Sequence, residues 1–286
     1  MKTFATLPRP EPKRIVPCAL CGHGAFAPLW NCGAFSFVRC RNCGLVQQNP
    51  QPESAAVEKR YDAVYLDYEA QNQDAYRDLE LLALADLGLD ELAEPLFAKA
   101  ADRSVGPRAL DIGCATGALL DALRGKKWEP QGVEICAPAA EYGRSRYRLP
   151  IHIGTLESAH FSDASFDLVH ASHLIEHLNE PGCFLDEVSR VLAPEGLFVL
   201  TTPNVAGLQA RLFGADWRSA IYDHLYLFSR HSLEALLRAH HFRPIRAVTW
   251  GGWARGLRPE FLKAPLDRWA KRLGFGDVVA ILALRA

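Results

Sequence analysis

From residue 104 onward the apolar positions come in short runs separated by longer mixed stretches. Ala109 to Ile112 is an apolar run broken by one acid, Asp111. A turn of small residues follows, Gly113-Cys114-Ala115-Thr116-Gly117, and then Ala118 to Leu123, whose pattern predicts a helix. Gln131 to Ile135 predicts a second strand, and Ala137 to Tyr147 a helix that stops before Pro150. Ile151 to Ile153, Phe166 to Ala171 and Leu197 to Thr201 predict three further strands. His231 to His241 predicts a helix, and Arg243 to Trp250 and Val278 to Leu284 predict the last two strands. Strands alternating with helices predict an α/β fold: a doubly wound, mostly parallel seven-stranded sheet with helices on both faces.

Upstream the pattern changes twice. Residues 1–16 are rich in proline and basic residues and predict a flexible tail. Residues 51–103 predict a helical cap or lid. Within it Tyr61, Tyr65 and Tyr68 fall on one helical face, Asp74 to Leu87 predicts a helix with Leu79, Leu82 and Ala83 as its core stripe, and Leu92 to Ala101 a further helix.

Between them, residues 17–50 carry Cys18-x2-Cys21, eighteen residues, then Cys40-x2-Cys43. That spacing fits a four-cysteine zinc ribbon, each pair being followed by a glycine, Gly22 and Gly44. So small a module cannot bury a sufficient core, and a structural zinc would supply the missing stability. Two disulfides are the alternative, which a reducing cytosol disfavours. Cys32, Cys114, Cys136 and Cys183 complete the eight cysteines and read as scattered thiols.

The composition is that of an ordinary globular protein, with 49% hydrophobic and 23% charged residues over 286 positions. A formal net charge of −1 gives no bulk attraction to nucleic acid or membrane. The ribbon's basic residues are Arg39 and Arg41, fewer than nucleic-acid ribbons usually offer. No apolar run approaches the ~20 residues that span a bilayer, and the first ten residues lack a signal peptide's apolar core. A cytoplasmic location is the expectation.

The turn at 113–117 narrows the chemistry. Its spacing is Gly-x-x-x-Gly, with Ala115 where the dinucleotide fingerprint needs a glycine for the pyrophosphate. Asp111, just before the turn, would repel a pyrophosphate and suit a cationic ligand. Glu134 ends the second strand about 20 residues on, where an acid binds ribose hydroxyls.

Leu110-Asp-Ile-Gly-Cys-Ala-Thr-Gly117 with Val133-Glu134 resembles the first two motifs of Rossmann-like S-adenosylmethionine-dependent methyltransferases. Phe166-Asp-Leu-Val-His-Ala171, Ile175-Glu-His-Leu178 and Val191-Leu-Ala-Pro-Glu-Gly-Leu197 extend the resemblance over residues 104–286. The cysteine pairs, Asn49-Pro50 and the tyrosine run resemble N-terminal regions of bacterial methyltransferases, including sugar C-methyltransferases. The resemblance implies S-adenosylmethionine as cofactor. It would be held by Asp111, Gly113, Cys114, Ala115, Gly117, Glu134 and Ile135, and by the strand end Ala171-Ser172-His173. In the family an Asp after the third strand often accepts from the adenine amino group. Here Thr155 stands in its place, with the Leu156 N–H and Glu157 as substitutes.

Two patterns bear on the acceptor. His173-x-x-Glu176-His177 matches an inverted zinc-protease motif, but a strand end and no further ligand on a downstream helix argue against it. Ubiquinone-pathway O-methyltransferases place an acid where His173 sits, then Glu-His, and these can hold a divalent metal. Further on, Tyr222-Asp223-His224 lies in a segment, 205–228, too long for a simple connection. It resembles the acceptor-pocket cluster of sugar C-methyltransferases, without their extra C-terminal domain. His224, beside Asp223, is read as the leading proton acceptor and His173 as the second. The Asn/Asp-Pro-Pro-aromatic signature of nucleic-acid amino-methyltransferases is missing after the fourth strand. Thr202-Pro-Asn204 comes one strand later. The expected activity is methylation of an oxygen or carbon of a small-molecule acceptor, such as a sugar or quinone. The alternative is a zinc-ribbon RNA-binding or RNA-modifying protein.

Overall fold

The computed structural model describes residues 12–52, 63–101, 106–251, 271 and 273–286. Tyr61 and residues 1–11 of the expected tail lie outside these residues. Among the described residues no helix is long and apolar enough to cross a membrane.

Seven strands form the main sheet in the order β12 (Phe242–Trp250), β13 (Val278–Arg285), β10 (Leu192–Pro203), β9 (Phe166–Ser172), β6 (Arg108–Ile112), β7 (Glu129–Glu134) and β8 (Ile151–Ile153). Neighbours from β10 to β8 run parallel, and β13 is antiparallel to both β10 and β12. Residues alternate between the two faces, as a pleated strand requires. Val169, Phe198 and Leu200 enter one core. Leu168, Leu197 and Val199 enter the other. The first core is shared with α5 (Pro181–Val191) through Leu185 and Val188, and with α7 (Arg230–Ala239) through Leu233 and Leu237. The second is shared with α1 (Ala63–Asp86), α2 (Leu89–Ala101) and α3 (Ala118–Gly125). A further helix, α4 (Ala137–Tyr147), comes so near the glycine turn that a Cβ on Gly143 would lie 2.8 Å from the Thr116 carbonyl oxygen.

α1 differs from the expected stripe. Leu79 and Leu82 are 62% and 48% exposed, whereas Ala83, Leu84 and Leu87 are buried. The face that docks is rotated from the one the leucines mark, because α1 also turns carboxylates toward the sheet.

The cysteine-bearing segment forms β2 (Phe26–Asn31), β3 (Ser36–Cys40) and β4 (Val46–Gln48). Its sheet has four strands, and the fourth, β11 (Tyr226–Leu227), comes from the long segment after β10. The tail is held at its end: β1 (Lys13–Arg14) pairs with β5 (Gln51–Pro52), so residues 13 and 14 are not free. The reason is backbone pairing, which proline-rich composition does not report.

Candidate active site

The carboxyl ends of β6, β7 and β9 meet at the glycine turn. Gly113 and Gly117 have φ of 74° and 77°, left-handed values that cost a glycine nothing. The N–H groups of Gly113 and Cys114 donate to the Val133 carbonyl at 2.8 and 3.1 Å, which locks the turn to β7. Glu134 completes the lock, since its carboxylate accepts the N–H of Ala115 at 2.8 Å and of Cys136 at 2.7 Å. Glu134 is 2% exposed. Burial raises its pKa, opposed by the N–H groups of Cys136 and Ala115.

Asp111 is also buried, and it has a partner. The register of β6 and β9 sets it opposite His170, whose Nδ1–H donates to it at 2.7 Å. Burial works against charge on His170, but the Asp111 carboxylate, with Glu80 behind it, raises its pKa. The His170 Nε2 is buried and has no hydrogen-bond partner among the described residues.

α1 lies across the same ends. It is anchored to α4, where the Gln73 Nε2 donates to the Tyr142 hydroxyl at 3.2 Å and the Tyr147 hydroxyl donates to the Gln73 Oε1 at 3.1 Å. Two of its acids act on the turn. Burial, then the charge of Glu134, pushes Glu69 up to about 7. Burial pushes Glu80 up to about 7, with His170 opposing and Asp111 adding. Glu69 and Glu80 are three helical turns apart and share a face. Neither was expected from the sequence, nor was His170. An acid lodged among apolar positions of a helix was the available signal.

These groups fit a cationic ligand. Four buried or half-buried carboxyls, Glu69, Glu80, Asp111 and Glu134, lie close enough to influence one another, and the charges acting on Glu69 and Glu80 come from other carboxylates and histidines. An ammonium or sulfonium would relieve their mutual repulsion, and an orphaned buried nitrogen leaves a polar atom for a ligand to meet. Ile135 and Ser172 are half-buried beside the turn, and Cys114 and Ala171 are buried. In the following loop Thr155 is committed to the turn itself: its hydroxyl accepts the Ser158 N–H at 3.3 Å. Leu156 packs into the core and Glu157 is exposed.

Beyond β9 lies a second cluster. His173 takes a positive φ of 52°, uncommon for a residue with a side chain. Its Nδ1 lies 3.2 Å from the Glu176 Oε1, and its side chain is 48% exposed. Glu176 is fully buried and also accepts the Thr202 hydroxyl at 2.9 Å. Burial opposes its charge, but the hydrogen bond from His173 and the charges of His173, His177 and His224 outweigh it and bring it down to about 2.

The 222–224 segment does converge on this cluster. His177 donates its Nδ1–H to the Asp223 carbonyl at 2.9 Å, and its ring meets that of His224 edge-on at 4.7 Å. His224 donates its Nδ1–H to the Ser219 carbonyl at 2.9 Å. It is buried, and burial, then the charge of His177, pulls its pKa down to about 3. A group that holds its proton so weakly is a poor proton acceptor near neutral pH. Tyr222 is buried edge-on against Phe35 of the cysteine segment, 5.6 Å between centroids.

In the ribbon the sulfurs of Cys18 and Cys43 lie 3.4 Å apart and those of Cys21 and Cys40 3.6 Å apart. A disulfide needs about 2.05 Å, so these are thiols. All four sulfurs lie within 4.8 Å of one another. That is compatible with one tetrahedral zinc, whose Zn–S bonds are about 2.3 Å. The N–H groups of Gly22 and Gly44 fold back to the carbonyls of Cys18 and Cys40 at 2.8 and 3.1 Å.

A family model described as a methyltransferase domain matches residues 81–247. A protein of Mycolicibacterium smegmatis named as a probable S-adenosylmethionine-dependent methyltransferase is 33% identical over 112 residues, 39% of this chain and 44% of that one. A ubiquinone biosynthesis O-methyltransferase of Azorhizobium caulinodans is 28% identical over 119 residues, 39% of this chain and 47% of that one. The chain thus spans less than half the length of these curated relatives. Among solved structures, a SAM-dependent methyltransferase from Archaeoglobus fulgidus superposes with a TM-score of 0.53 at 20% identity, covering 77% of this chain and 99% of that one, a likeness of fold. With the family model spanning more than half of the chain, and the acid-lined glycine turn at its strand ends, the protein belongs to the methyltransferase-domain family.

Proposed function

We propose that the enzyme methylates an oxygen or carbon of a small-molecule acceptor, a sugar, a quinone or another secondary metabolite, and that His173 takes the acceptor's proton. The observation that carries this is the His173–Glu176 pair at the end of β9. Glu176 is buried and ionised, so it holds the imidazole with Nδ1–H toward itself. The Nε2 lone pair of a half-exposed ring is then available to a substrate. His224 orients the neighbouring loop and is not the base.

S-adenosylmethionine would be held by Asp111, the Gly113–Gly117 turn and Glu134, with Ala171, Ser172 and His173 beside its methionine end. It supplies an electrophilic methyl group on a sulfonium. The chain's own task is to place the acceptor atom in line with that methyl and to accept the proton it displaces. The four cysteines would hold a structural zinc. The likeness to a ubiquinone biosynthesis O-methyltransferase supports a hydroxylated acceptor.

The test is label transfer from methyl-labelled S-adenosylmethionine to catechols, hydroxylated quinones and nucleotide-linked sugars, with RNA in parallel. Label entering a small acceptor, and lost in His173→Asn, is expected. Label entering RNA alone would overturn the reading in favour of an RNA-modifying enzyme.

One observation favours a second reading. The ligand atoms of Glu176, His177 and His224 lie within 4.8 Å of one another. Both imidazoles spend their Nδ1–H on carbonyls, which leaves both Nε2 lone pairs free to ligate. A divalent cation there would hold an acceptor hydroxyl. Titrating Mn2+ into protein whose ribbon is zinc-loaded should show one further equivalent, absent in His177→Ala; no uptake would reject this reading.

A further inference from the structure

The ribbon and the acceptor side share more than a sheet edge. Gln47 and Gln48 are neighbours on β4, and both side chains are fully buried. Successive strand residues point to opposite faces. The Gln47 Nε2 donates to the Pro17 carbonyl at 3.2 Å and its Oε1 accepts the Ala19 N–H at 3.4 Å. Those two residues flank Cys18, the first thiol of the ribbon. The Gln48 Nε2 donates to the carbonyls of Tyr222 at 2.7 Å and His224 at 2.8 Å, and the Gln48 main-chain N–H donates to the Leu225 carbonyl at 2.8 Å. The other side of the same loop grips the His173–Glu176 cluster. The Leu225 N–H donates to the Glu176 carbonyl at 2.7 Å, and the Asp223 carbonyl receives the His177 Nδ1–H. A line of buried and half-buried hydrogen bonds, joined through the Gln47–Gln48 backbone, therefore runs from the thiol cluster to the His173–Glu176 cluster.

We infer that the ribbon is the positioning element of the acceptor side: metal occupancy at Cys18, Cys21, Cys40 and Cys43 fixes loop 221–225, and Gln48 is the positioning residue that transmits it. Gln48 suits that role. It is the wrong residue for a buried strand unless its amide is used, and it satisfies carbonyls that no regular strand pairing reaches. Three of the four loop contacts are from its side chain, Nε2 also reaching the Ile221 carbonyl at 3.4 Å, so the clamp is specific to a carboxamide of this length. Among the described residues the proposed cofactor side has no such tie. Its turn is locked by Glu134 and by the Val133 carbonyl, and neither belongs to the ribbon. The inference rests on the proposed acceptor pocket only for its effect on turnover; the mechanical link is independent of it.

Hydrogen exchange on the full chain tests it. Zinc removal by a chelator is expected to speed exchange in 221–228 by about tenfold or more, while 109–135 is unchanged and calorimetry finds S-adenosylmethionine affinity within about twofold. Gln48→Leu is expected to reproduce the loop effect with zinc retained, and to raise the acceptor KM while leaving the cofactor KM alone. A loop that exchanges at its original rate in Gln48→Leu overturns the inference. So does a loop undisturbed by loss of the metal. If chelation unfolds the whole chain, exchange rises everywhere and the Gln48→Leu arm decides. A loop freed in Gln48→Leu without any change in acceptor KM would keep the link and reject the acceptor pocket.

Discussion

The two halves of the proposed site are built differently. The proposed cofactor half is centred on one stretch, Asp111 to Cys136, in which a turn, a helix and a strand end are locked by backbone hydrogen bonds and one carboxylate, with α1 and the end of β9 beside it. The acceptor half is gathered from three distant pieces: Gln48 of the ribbon, the 173–177 strand end and the 222–225 loop. The first depends on local geometry and should tolerate distant change. The second depends on tertiary contacts and should fail when any one of its parts does.

The largest effect expected is on the acceptor half alone. His173→Asn keeps a residue that tolerates a positive φ but removes the imidazole. Turnover should fall by ~10²- to 10⁴-fold with a far smaller change in cofactor affinity, read by single-turnover kinetics beside calorimetry. An equal loss in both would erase the distinction between the halves.

Next is the cofactor half. Glu134→Gln should weaken S-adenosylmethionine by ~1–3 kcal/mol, the cost of a lost charged hydrogen bond. The ribbon's zinc content, measured by elemental analysis, should not change.

A smaller effect follows from the acids of α1. Glu69 and Glu80 ionise at about 7 instead of the usual 4.5. A cation prefers the ionised carboxyls, so S-adenosylmethionine affinity should rise as pH passes upward through about 7. Binding below that pH should release protons, seen as a dependence of the calorimetric heat on buffer ionisation. In the free protein the sign is opposite. A raised carboxyl favours the folded state while it keeps its proton, so this contribution is full at pH below 4.5 and is lost as pH rises through about 7. Affinity that falls over the same interval would remove the cationic ligand from the crevice.

The smallest contrast lies within α1. Leu79→Ala, on the exposed face, should change stability by less than ~0.5 kcal/mol. Leu84→Ala, in the core, should cost about 2–5 kcal/mol. Thermal denaturation separates them, and equal costs would mean that Leu79 is covered in solution.

Much of the cofactor half was legible because its determinants are close in sequence. A short apolar run marks β6 and the leucine-bearing pattern after the turn marks α3, and the expected limits Ala137 to Tyr147 and Ile151 to Ile153 match the observed ones. The glycine spacing and the acid ending β7 follow from what a tight strand-to-helix turn needs. The cysteine pairs were legible for the same reason, since two short knuckles carry all four thiols. Of the expected core stripe of α1, Ala83 is buried but Leu79 and Leu82 are exposed, because leucine content alone does not say which face docks.

The sequence by itself determined the strands and helices of the main sheet, the turn at 113–117 and the four-thiol ribbon, since each is set by side chains within a few residues of one another. Only the tertiary structure decided that His170 stands opposite Asp111, that Glu69 and Glu80 turn into the crevice, that β11 completes the ribbon's sheet and that Gln48 holds the His224 loop. Each of these is a pairing across tens of residues or more. Strand register and the docking of α1 and the ribbon fix them, and both come from packing the whole chain, which no local pattern of polar and apolar positions encodes.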